Sequence, residues 1–217
     1  MSIARRIVLV ASAAIFAAAA VVATERPARD ADVAVSLGLQ RLGSPSALPL
    51  MRATSAPGDG FLAPVAIAAA VALGAFLAGR ARTAVGVGLL CTVAFGVEQA
   101  VKAAVGRPRP SPHVERLAPA PETGSFPSGH MVWFTTLFGA AVDFQLLSRR
   151  RALRRLLVVA LAAYGVLLGA SRVYLGHHYA TDVLGGVALA AMLVAGLAPL
   201  IRAGLGIGFS GRESSSA

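Results

Sequence analysis

Three groups of polar residues, well separated in the chain, carry the side chain types needed to bind and move a phosphoryl group. Lys102 is followed after six residues by Arg109-Pro110. Pro127-Ser128-Gly129-His130 stands at the start of a long apolar run. Ser171-Arg172 is followed after five residues by His178, and after three more by Asp182. A phosphate monoester carries close to two negative charges near neutral pH and must be held while its phosphorus is attacked. Lys102, Arg109 and Arg172 can neutralise it, and arginine's planar fork suits two phosphate oxygens at once. Ser128 and Gly129 fall where a helix is expected to begin, so unpaired backbone N–H groups and the positive end of the helix dipole favour an anion there. Glycine also lets the backbone come close to it.

Transfer further requires a nucleophile and a proton donor for the departing oxygen. His178 and Asp182 are four apart and share a helical face if the last helix reaches back through them. A carboxylate so placed keeps one ring nitrogen protonated and leaves the other free to attack. His130 comes from a different helix and can approach the leaving-group side. His177 is the rival nucleophile, five residues from Asp182 and off that face. Taken singly, each residue also has a plainer reading. His130 can cap an interfacial helix, and Lys102 and Arg172 can anchor helices in a bilayer. His177, His178 and Asp182 can ligate zinc or manganese. The nearby cations oppose a bound metal, so neither metal nor cofactor is expected. His113, in a Pro-rich loop, reads as solvated.

The elements that must position these residues are apolar. Hydrophobic residues make up 56% of the 217, charged residues 14%, and mean hydropathy is +0.71. Soluble domains carry roughly 25% charged residues. Six runs, 7–23, 61–79, 83–101, 129–147, 156–174 and 182–201, each approach the roughly 20 residues that cross a hydrocarbon core. Helix is the expected form, because lipid cannot satisfy an open backbone. An all-α bundle of six transmembrane helices in one domain, 1–217, is therefore expected. A short outer surface helix is expected near Asp30–Leu42, and a frayed tail over 206–217. The first run resembles a signal peptide in its Arg5-Arg6 flank, but its length favours a retained helix.

The net charge of +10 suits nucleic acid in principle. Here the arginines lie between apolar runs with no interleaved aromatics, so anchoring in a membrane is the expected role and no nucleic-acid partner is. The Ser148–Arg155 loop holds five arginines. Its side is expected to be cytoplasmic, which places 24–60, 102–128 and 173–181 together on the extracytoplasmic face of an inner membrane. The single cysteine, Cys91, excludes an intrachain disulfide. Two acids fall inside apolar runs. Glu98 can pair with Lys102 one turn on, and Asp143 is expected to meet the arginine loop.

In this order and with these gaps, the three groups resemble the tripartite signature of the type 2 phosphatidic acid phosphatase (PAP2) superfamily. The signature spans 102–182, without departure at a motif position. The resemblance implies that His178 forms a phosphohistidine, that Asp182 is its partner, and that His130 acts as general acid and then base. It also implies that Lys102, Arg109, Ser128, Gly129 and Arg172 bind phosphate. The implied activity is metal-independent hydrolysis of a lipid phosphate or diphosphate. A lipid phosphotransferase would need the same residues for its donor half-reaction. A protein that merely binds or translocates phospholipid would need no acid–nucleophile–carboxylate set. A haloperoxidase would share the residues on a larger, water-soluble chain.

Overall fold

The computed structural model describes residues 1–43, 46–110, 114–119 and 123–208, with the backbone alone for 26–29. His113 and most of the expected frayed tail lie outside the described residues. Every regular element described is helical. The helices are α1 (Ile3–Thr24), α2 (Arg26–Leu42), α3 (Ala47–Ser55), α4 (Leu62–Leu77), α5 (Ala81–Val105), α6 (Gly129–Asp143), α7 (Arg151–Tyr174) and α8 (Ala180–Gly204), with a 3-10 turn at Ala56–Gly58 between α3 and α4.

Of these, α1, α5, α7 and α8, at 22 to 25 residues, are long and apolar enough to cross a membrane. The α3–α4 pair adds a fifth if its 60° bend lies within one span. This falls short of the six crossings expected from the sequence. The physical reason lies in α6, which has 15 residues and ends at Asp143 rather than near Leu147. Gln145, at φ 54, turns the chain there. Large apolar side chains face outward, among them Ile3 at 78% and Val166 at 76% exposed. Apolar surface of that kind is stable against lipid rather than water. The chain is a multi-pass membrane protein.

Helix α1 lies along α8, α6 packs between α5 and α8, and α4 packs on α5. Val87 and Leu90 of α5 meet Ala140 and Phe144 near the end of α6, with Ala198 of α8. Met131 and Phe134 of α6 close on Leu168 of α7. Small residues set the closest approach, as in other membrane helix pairs. A Cβ on Gly186 of α8 would lie 2.7 Å from the Ser128 carbonyl oxygen, so the start of α6 rests on α8 backbone to backbone.

Helix α2 is not a free surface helix. It starts four residues earlier than expected, and Asp32 and Ser36 are buried. It packs on α7 and α8. The Gln40 amide ties its far end to the carbonyls of Glu115 (2.7 Å) and Tyr174 (2.9 Å). At the opposite end of the bundle, Asp143 pairs with Arg5 of α1 and lies 3.9 Å from Arg202 of α8. The expected partner, the arginine loop, is not the one it takes, because α1 and α8 bring their own arginines to the end of α6.

Candidate active site

Four helix ends and two loops meet at one end of the bundle. Helix α5 closes on Gly106 in the left-handed region (φ 57), and the Gly106 N–H caps the Lys102 carbonyl. That stop leaves Lys102 in the last turn. Its Nζ meets Glu98 Oε1 at 2.7 Å, the expected pair one helical turn apart. Both lie against Gly129, where a Cβ would sit 2.8 Å from Glu98 Oε1 and 3.4 Å from Lys102 Nζ. The glycine at the head of α6 thus makes room for the Glu98 carboxylate of the pair.

Ser128 caps α6 in an extended conformation without a side-chain bond to the helix. Its backbone N–H is already spent on the Asp182 carbonyl oxygen at 2.9 Å, so it is not the anion donor the sequence suggested. The hydroxyl is. Ser128 Oγ is buried and has no hydrogen-bond partner among the described residues. The N–H groups of Gly129 and His130 follow in the first turn, which lacks intrahelical acceptors.

His178 lies in the short link between α7 and α8 and is 2% exposed. Its Nδ1 is 2.8 Å from the Ser125 carbonyl oxygen and 3.6 Å from Asp182 Oδ2. A carbonyl only accepts, so Nδ1 carries the proton and Nε2 presents a lone pair. The ring is therefore oriented by Ser125, a residue outside the three groups. Asp182 stands beside it as a negative charge instead of as its direct acceptor. Asp182 Oδ2 instead accepts from the Tyr179 N–H at 2.9 Å, capping α8. Nε2 lies 3.4 Å from Arg109 Nη1, which donates to the His177 carbonyl at 2.7 Å. Burial pushes the His178 ring well below the usual imidazole range, and the charges of Arg172, Arg109, Lys102 and His130 push the same way. The ring is neutral at physiological pH and can attack.

His177 turns away. Its Nε2 meets the Ala118 carbonyl at 2.9 Å, and burial, followed by the Arg172 charge, lowers it to about 4. His130 and Arg172 meet at the third side of the site. Both line a cavity of about 740 Å³ together with Arg52, Ser55, Asp59 and His177. Lys102, Arg109 and His178 are not among the residues that line it. Arg172 is 2% exposed, and its Nε is buried without a partner among the described residues.

Four residues at this end were not singled out by sequence. Arg107 is wholly buried, with its two terminal nitrogens on Asp182 Oδ1 (2.6 Å) and Asp32 Oδ2 (2.8 Å) and its guanidinium 4.2 Å above the Tyr179 ring. Asp32 also accepts from the Thr181 N–H at 3.1 Å, so α2 is pinned to the start of α8. Asp59 lies 3.0 Å from His130 Nε2, and Ser55 bonds Arg172. The one available sequence signal for Asp59 is its place between Gly58 and Gly60, which marks a tight turn. Among the described residues, no three His, Cys, Asp or Glu side chains are grouped as metal ligands.

The PAP2 superfamily model matches residues 83–203, more than half of the chain, and takes in all three groups. The chain belongs to the PAP2 superfamily. Among curated relatives, phosphatidylglycerophosphatase B of Haemophilus influenzae is 51% identical over 65 residues, 29% of this chain and 27% of that protein. Undecaprenyl-diphosphatase BcrC of Bacillus subtilis is 36% identical over 87 residues, 40% of each. Phosphatidylglycerophosphatase B of Bacillus subtilis is 32% identical over 117 residues, 49% of this chain and 54% of that one. The chain thus spans between about a quarter and about half of the length of these relatives. The fold matches the crystal structure of a transmembrane PAP2-type phosphatidylglycerolphosphate phosphatase from Bacillus subtilis, with a TM-score of 0.76, 23% identity, and coverage of 91% of this chain and 97% of that one. That structure is a PAP2 membrane protein as this chain is, and the likeness reaches beyond the residues of the family match.

Proposed function

We propose that this chain is an integral membrane phosphatase that hydrolyses a phosphomonoester or diphosphate on a lipid, at the extracytoplasmic face of the cytoplasmic membrane. The observation that carries the reading is the convergence at His178. A neutral imidazole with its Nδ1 proton fixed stands among Lys102, Arg109 and Arg172, beside a cavity that holds a second histidine. The PAP2 relatives named as phosphatases of phosphatidylglycerophosphate and undecaprenyl diphosphate support it.

In this mechanism the three cations, the Ser128 hydroxyl and the first N–H groups of α6 hold the phosphoryl oxygens. His178 Nε2 attacks phosphorus, and the bond to the leaving oxygen breaks with its electron pair going to that oxygen. His130 supplies the proton. The phosphohistidine is then opened by water, whose proton His130 takes back, and neutral His178 is restored as phosphate departs. Asp182 balances the positive charge on the His178 ring while the intermediate lasts. Six crossings are proposed, with the short helices α4 and α6 completing the four long ones. The arginine-bearing end faces the cytoplasm.

Purified protein in detergent should release phosphate from at least one of phosphatidylglycerol phosphate, a polyprenyl diphosphate or phosphatidic acid, and EDTA should not diminish the rate. His178→Ala should abolish release. Undiminished turnover by that variant removes the nucleophile and the proposal with it.

A further inference from the structure

The residue that faces His130 belongs to none of the three groups. Asp59 lies in the turn between the α3 elbow and α4, more than forty positions before Lys102. One of its oxygens, Oδ1, has three neighbours. His130 Nε2 is at 3.0 Å, Ser55 Oγ at 3.1 Å and Arg172 Nη1 at 3.3 Å. Ser55 closes the ring by accepting from Arg172 and lying 3.4 Å from the same His130 nitrogen. The turn is built to reach that point. A Cβ on Gly58 would fall 2.4 Å from His130 Cδ2 and 2.9 Å from Nε2, so only a bare backbone can lie against the imidazole. Gly60, at φ +67, then swings the chain into α4. The hydrogen bond from His130 keeps the Asp59 carboxyl down at about 2, against the opposing effect of burial, so the group is ionised at any working pH. It is nonetheless more than half exposed, opening on the same cavity as His130 and Arg172.

A carboxylate can only accept, so Nε2 of His130 carries a proton toward Asp59. The other nitrogen, Nδ1, is then the one that exchanges a proton with the reaction. The charged groups acting on the ring are Asp59 from the turn and Arg172 from α7. Arg172 opposes a positive ring and Asp59 favours it.

We infer that Asp59 is the positioning residue of the leaving-group step, holding His130 by Nε2–H so that Nδ1–H is delivered to the departing lipid oxygen. The inference rests on the phosphatase reading above. As the P–O bond breaks, its electron pair goes to the oxygen, the Nδ1 proton follows, and the ring becomes neutral while Asp59 stays ionised throughout. In the hydrolytic half, the Nδ1 lone pair takes a proton from the attacking water.

The test is leaving-group dependence in the full-length protein in detergent. Asp59→Asn keeps the size of the side chain and removes its charge. Its kcat/KM on phosphatidic acid, whose alkoxide needs a proton, should fall roughly 100-fold, the scale of general acid catalysis. On p-nitrophenyl phosphate, whose phenolate leaves unprotonated, it should fall less than about threefold, within the same general-acid logic. Thermal melting of the variant should match the wild type. Equal losses on both substrates would assign Asp59 a merely structural role, and no loss on either would remove it from the reaction. A gain in rate, with tighter inhibition by inorganic phosphate, would mean that the carboxylate only fills an empty anion site, and would overturn the inference. If the wild-type protein released phosphate from neither compound nor from any other lipid phosphate, the phosphatase reading would fail first and this inference with it.

Discussion

The two ends of α6 are opposite in what they offer. At its C-terminus three arginines have fixed acceptors. Arg80 donates to the Phe144 and Gln145 carbonyls, Arg202 to the Asp143 carbonyl at 3.0 Å, and Arg5 to the Asp143 carboxylate. These are the orphan carbonyls of a helix end, and positive side chains there complement its dipole. At the N-terminus there is no acid in the first turn. A buried hydroxyl, Ser128 Oγ, and a buried guanidinium nitrogen, Arg172 Nε, have no partners among the described residues. The C-terminal end is largely closed by the protein's own groups, with Asp143 Oδ2 alone of its carboxylate oxygens lacking a hydrogen bond among the described residues, whereas in the proposed function an anion from outside completes the other end. Buried polar groups left open cost roughly 1–3 kcal/mol each, and a bound anion would supply the missing partner at the N-terminal end.

That contrast is sharpest for His178→Ala. Activity on the best lipid phosphate should fall on the order of 10⁴-fold, as for removal of other catalytic nucleophiles, with melting in detergent unchanged. A large drop in melting temperature would make the site end structural after all.

Ser128→Ala comes next, with a loss of roughly 10- to 100-fold in kcat/KM, the worth of one donor to the transition state. Because the hydroxyl has no hydrogen-bond partner among the described residues, the variant should melt no lower than wild type. A clear loss of stability would reveal a bond that the comparison leaves out.

At the other end, Asp143→Asn should do the reverse. It breaks the pairing with Arg5 and should cost about 2 kcal/mol of stability, less than a wholly buried pair because Arg5 is partly exposed. The kcat/KM should stay within about twofold, since chemistry needs only the N-terminal end. A loss of activity without a loss of stability would erase the distinction.

The smallest effect is a displacement in the pH profile. His178 must be neutral to attack, and its folded pKa lies below the ordinary 6.5. Protonation, and with it the acid limb of kcat/KM, should therefore set in only below that value. An acid limb above 6.5 would show a ring more exposed to water than the structure has it.

Much of this was readable in the sequence, and for definite reasons. The apolar runs announce helices because lipid allows little else, and the groups at Lys102–Arg109, Ser128–His130 and Arg172–Asp182 announce phosphate because few other tasks need those types together. The Glu98–Lys102 pair was legible because it is one helical turn apart. What escaped notice depends on contacts between distant positions. Asp59 and His130 are 71 residues apart, and Arg107 is 75 from both Asp32 and Asp182. The role of Ser125 could not be read at all, because a backbone carbonyl has no residue type. Asp143 was assigned to the nearest arginines in sequence, while the fold supplied nearer ones in space.

The sequence by itself determined that this protein is a helical membrane protein with cations and imidazoles suited to phosphate, since side-chain chemistry and hydrophobic run length are local properties. Only the tertiary structure decided which oxygen orients His178, which carboxylate faces His130, and which buried donors remain open. Those depend on distances between helix ends, which are fixed by where small residues such as Gly129 and Gly186 let the helices touch.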